Sequence, residues 1–149
     1  MPSASRSRTI AAPAEELWEV ISDPHHLPRW WPRVSRVEDV EGDAFTEVMK
    51  TAKGKLVRAD FRLVRADSGM HSLAWEQQLE GTPFARLMSA AVTRVSLERA
   101  AQGTSVTLEL HQSLNGFFPR FGGFMVRRAA AATLEEALDG LERISGISG

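Results

Sequence analysis

The chain has 149 residues, with 18 Lys plus Arg against 19 Asp plus Glu and no cysteine. That length fits one domain spanning residues 1–149, able to bury roughly two-thirds of the surface its unfolded form exposes. The balanced charge offers no field to draw nucleic acid or an anionic membrane, and the missing thiols exclude disulfides, thiolate metal sites and cysteine nucleophiles.

The start, Met1 to Arg8, is polar and lacks the apolar run of a signal peptide. No later segment approaches the ~18 apolar residues of a membrane span, so a protein without an integral membrane segment, in the cytoplasm, is expected. Ser7 to Ile10 is β-prone and ends at Ala11-Ala12-Pro13. Leu17, Trp18 and Ile21 then fall at helical spacing, with Pro13 suited to the first helical position and Glu15 and Glu16 to the positive end of the helix dipole. Asp23-Pro24 stops this helix, and Pro28 and Pro32 restrict His25 to Trp31 to a short second one.

From Val34 to Gln112 the sequence alternates polar and apolar residues, with breaks at Gly42, Gly54, Gly69, Gly81 and Gly103. This predicts an antiparallel meander of roughly six strands. Phe121 to about Ile144 has no proline and places Phe124, Ala131, Leu134, Leu138 and Leu141 at three- and four-residue intervals, which predicts one long amphipathic helix. About 20 helical residues span roughly 30 Å, enough to cross a curved sheet. The order of elements favours an α+β fold with an antiparallel sheet over the alternation of a parallel one.

Ile10 to Pro24, followed by Leu27-Pro28-Arg29-Trp30-Trp31-Pro32, resembles the N-terminal pattern of the START-like superfamily, which includes Bet v 1-like and polyketide cyclase/dehydrase proteins. The shared features are a strand, an Ala-Pro step into a Trp-bearing helix, an Asp-Pro stop, and a short helix ending in Trp. The resemblance implies a helix-grip fold: about seven antiparallel strands wrapped around a long C-terminal helix, with two short helices after the first strand. It also implies a hydrophobic cavity between sheet and helix, which in the family takes lipids, sterols, polyketides or plant hormones.

Alternation puts Phe61 and Leu63 on the helix-facing side of one strand, with Arg58, Asp60 and Arg62 outward. Leu73, Trp75, Gln77 and Leu79, then Thr93, Val95 and Leu97, then Val106, Leu108 and Leu110 continue that side. Trp75, Gln77, Val95, Leu108, Phe124 and Leu134 are the expected cavity wall. Gln77 is an amide in an apolar row: it contacts a ligand, or it sits at a strand end or bonds another side chain, the more ordinary outcome. Arg127 falls near the apolar face of the long helix; it anchors a ligand carboxylate, or, more ordinarily, it snorkels to water with Arg120 and Arg128.

His26, Trp31, Phe117 and Phe118 are candidates for the cavity mouth, and the resemblance implies that Trp30 is the packed member of its pair. Neither His25 nor His26 has a second ligand pair at metal-site spacing, so no metal and no cofactor are expected. No G-x-S-x-G, G-x-G-x-x-G or P-loop spacing occurs. Three functions stay open. The leading one is binding of a small hydrophobic or amphipathic ligand, lipid- or polyketide-like. The second is a cyclase or dehydratase-like reaction using Arg127, Gln77 or His26, and the third is a protein-interaction role of the Hsp90-activator-like type. The catalytic residues, the ligand's identity and the oligomeric state are not written in the sequence.

Overall fold

A computed structural model describes residues 3–115 and 120–147. Strand β1 (Ser3–Ile10) leads to helix α1 (Ala14–Ile21), a single 3-10 turn (Pro24–His26) and helix α2 (Leu27–Trp30). Six strands follow: β2 (Val34–Glu41), β3 (Ala44–Lys50), β4 (Leu56–Asp67), β5 (Ser72–Gln77), β6 (Met88–Ala100) and β7 (Gly103–Leu114). Helix α3 (Arg120–Ile147) closes the chain. The seven strands form one antiparallel sheet in the order β1-β7-β6-β5-β4-β3-β2, the expected helix-grip architecture.

The N-terminal elements differ from expectation in detail. Pro13 caps α1 from outside, with extended backbone at ψ 148°, so the helix starts one residue later than predicted. Asp23 caps the 3-10 turn, its carboxylate accepting from the His25 backbone N–H at 3.0 Å. Beta1 begins four residues earlier than the predicted Ser7, because its whole length pairs with β7 from Ser3–His111 to Ile10–Thr104.

The sheet curls its concave face onto α3. Leu73, Val95, Leu97, Val106 and Leu108 from the strands meet Leu134, Ala137, Leu138 and Leu141 from the helix, all buried. The C-terminal half of α3 is tied to β1 at the sheet edge by Arg8, whose guanidinium reaches Asp139 at 2.6 Å and Glu135 at 2.9 Å. The core thus fills one end of the grip, while the small residues Ala129, Ala130 and Thr133 stand over the other. No helix among the described residues is long and apolar enough to cross a membrane.

Candidate functional site

Under the N-terminal half of α3 the sheet and helix stand apart, leaving a cavity of about 300 Å³. Val126, Ala129, Ala130 and Thr133 form its roof. Their i, i+3, i+4, i+7 spacing makes one helix stripe, and its short side chains fail to reach the sheet. The floor and walls are Glu47, Met49, Phe61, Trp75, Gln77, Ala91, Thr93, Leu110 and Gln112, with Trp31 at the end of α2. Strand register makes these a coherent face: Phe61 pairs with Gln77, Trp75 with Thr93, and Thr93 with Leu110.

The aromatic wall is interlocked. Trp31 meets Trp75 edge to face with ring centroids 5.8 Å apart, and Trp30 meets Trp31 the same way at 5.4 Å. Phe45 stacks on Phe61 at 5.5 Å. Edge-to-face contacts of this kind hold rings in fixed orientations, so the wall is preformed.

Glu47 is the one ionisable side chain of this lining among the described residues. It lies on β3 between Phe45 and Met49, which share its face, and its cross-strand neighbours are Val37 on β2 and Ala59 on β4. It is 2% exposed, and its carboxyl has no hydrogen-bond or ion-pair partner among the described residues. Burial alone pushes its pKa up to about 8, so the carboxyl holds its proton at neutral pH. An unpartnered buried polar group is costly, and natural folds retain few of them without a purpose. Its neighbour Thr46 points the other way and donates to Asp60 at 2.6 Å.

Sequence reasoning assigned faces only from β4 onward and missed Glu47. The signal was present in Phe45-Thr46-Glu47-Val48-Met49, where Glu47 alternates in step with two large apolar residues. The other expected site residues divide into three groups. Trp75, Gln77 and Trp31 line the cavity, Trp31 as wall. Gln77 is the last residue of β5, so the strand-end reading holds, yet its amide has no side-chain partner among the described residues and lines the cavity as well.

Val95 and Leu108 face the helix and Leu134 faces the sheet, but all three belong to the solid core, at 1%, 0% and 0% exposure, and do not line the cavity. Phe124 is corrected from wall to surface, at 59% exposed. Arg127 is also exposed, as the snorkelling alternative held. The physical reason is that the buried face turns along α3: its C-terminal half packs on β1 and α2, while the N-terminal half presents Val126 and Ala130 to the cavity, leaving Phe124 and Arg127 off that stripe. His26 lies outside the cavity, beside Arg29 at 3.2 Å and Asp23 at 3.8 Å. Phe117 and Phe118 lie outside the described residues. Among the described residues no group of three His, Asp or Glu side chains is placed to hold a metal.

The whole pattern, from residue 1 to residue 146, matches the family model described as polyketide cyclase / dehydrase and lipid transport. The chain belongs to that family. No curated protein matches it by sequence. Among solved structures, a START superfamily protein from Mycobacterium smegmatis superposes with a TM-score of 0.80 at 16% identity, covering 100% of both chains. A protein of Thermus thermophilus matches with a TM-score of 0.75 at 24% identity, over 99% of each chain. The di-domain ARO/CYC StfQ from the steffimycin biosynthetic pathway matches with a TM-score of 0.78 at 12% identity, over 98% of this chain and 51% of that one. At such identities these likenesses define the family's fold and leave the contents of this cavity to its own residues.

Proposed function

We propose that the protein binds one small amphipathic molecule in the cavity between the sheet and the N-terminal half of α3. The observation that carries this reading is the pairing of a preformed aromatic wall with a buried, unpartnered Glu47. An apolar cavity with a few convergent polar groups is the general form of a small-ligand site. Here Trp31, Phe61, Trp75 and Leu110 would hold the apolar body, and Glu47, Gln77, Thr93 and Gln112 would fix the polar end. At about 300 Å³ the space suits a ligand of one or two fused rings or a short chain, at the small end of typical ligand cavities.

The raised pKa of Glu47 favours a second reading, a cyclase or dehydratase-like reaction. In it Glu47, rather than Arg127 or His26, would exchange a proton with the bound molecule, since a carboxyl titrating near 8 is matched to transfer at neutral pH. Binding is common to both readings. Native mass spectrometry of the purified protein against a panel of neutral and cationic bicyclic amphiphiles tests it. A single added mass per chain is expected; no adduct with any member overturns the proposal.

A further inference from the structure

Among the described residues no counter-ion borders Glu47. Val37 and Ala59 flank it across the sheet, and the cavity lining supplied by the end of α2, by β4 to β7 and by α3 contains no Asp, Glu, His, Lys or Arg among the described residues. The same space is bordered by the rings of Trp31, Phe61 and Trp75, whose faces attract cations. Resting on the reading that this cavity is the ligand site, we infer that its ligand carries a protonated amine, which Glu47 binds as a carboxylate.

A carboxylate or phosphate head would meet a buried acid and no cation among these lining residues. A neutral hydroxyl would gain one ordinary hydrogen bond from the protonated Glu47. An ammonium gains a charge-assisted bond, about twice as strong, in a low-dielectric site, and it has further N–H groups for the acceptor oxygens of Gln77 and Thr93. The step balances as the ammonium ion entering, the Glu47 O–H bond breaking, and that proton leaving to solvent. The empty site therefore avoids a bare buried charge, and the ligand supplies the charge that makes ionisation favourable.

Isothermal titration of naphthylethylamine, naphthylethanol and naphthylacetate into wild type and Glu47→Gln tests this. The amine is expected to bind wild type about tenfold more tightly than the alcohol at neutral pH, with the acid weakest. Its affinity is expected to rise between pH 6 and pH 8 as Glu47 gives up its proton more easily. Glu47→Gln should erase the amine's advantage over the alcohol, and a retained cooperative unfolding transition certifies the fold of the variant. Equal or tighter binding of the alcohol to wild type overturns the amine assignment and leaves the binding site standing. So does an amine affinity unchanged by Glu47→Gln. Failure of all three compounds to bind overturns both.

Discussion

Gly140 of α3 lies directly against the backbone of Trp30 in α2, so closely that a Cβ at this position would overlap the Trp30 carbonyl oxygen and Cα. This approach seats α2 on the long helix and so places Trp31, one residue on, as the wall of the cavity.

Alanine in place of Gly140 would raise helix propensity by about 1 kcal/mol. The clash is with backbone, which no rotamer change relieves, and overpacking of that kind commonly costs roughly 1–3 kcal/mol or more. Gly140→Ala is therefore expected to lower stability despite its better propensity, by about 2 kcal/mol in chemical denaturation, and to change the fluorescence of the Trp30-Trp31 pair.

Leu138 and Trp18 should separate in the same assay. Leu138 is 0% exposed in the centre of the core, and Leu138→Ala is expected to cost ~2–5 kcal/mol by leaving a cavity. Trp18 is only partly buried, with its ring 5.4 Å from that of His71, so Trp18→Ala should cost less, about 1–2 kcal/mol.

Stability should respond to pH through Glu47. Its folded-state pKa, about 8, lies above the 4.5 of the free side chain, so the folded protein binds the extra proton between these values. The sign follows: the penalty is absent below about pH 4, grows as the pH rises, and is complete above about pH 8, amounting to roughly 5 kcal/mol. Denaturation of wild type and Glu47→Gln across this range should give curves that converge in acid and diverge toward pH 8, with the variant more stable there. Parallel curves would mean that Glu47 titrates normally.

Much of the fold was legible because its signals are local. The Asp23-Pro24 stop, the alternation through β2 to β7 and the uninterrupted apolar spacing of α3 each follow from backbone sterics and periodicity. The site was less legible for two physical reasons. Alternation tells which face a strand residue occupies but not its position along the strand, so Val95 and Leu108 in the solid core could not be told from Trp75 in the open end. A lone Glu47 on a strand is read as solvated, since burying it lacks any local compensation, and only the register with Val37 and Ala59 shows that it is enclosed. The ideal wheel that drew Arg127 toward the apolar face assumed one partner surface along the whole of α3, whereas the helix packs on the core at one end and roofs a cavity at the other.

The central claim, that the space under Thr133 holds the ligand, is tested most directly by filling it. Thr133→Trp extends a ring from the roof of α3 into the cavity of about 300 Å³. Binding of the neutral bicyclic naphthylethanol, followed by isothermal titration, should be saturable at one site per wild-type chain and at least about tenfold weaker in Thr133→Trp, with the cooperative unfolding transition retained. Equal affinity of the folded variant and wild type would place the ligand elsewhere and contradict the account.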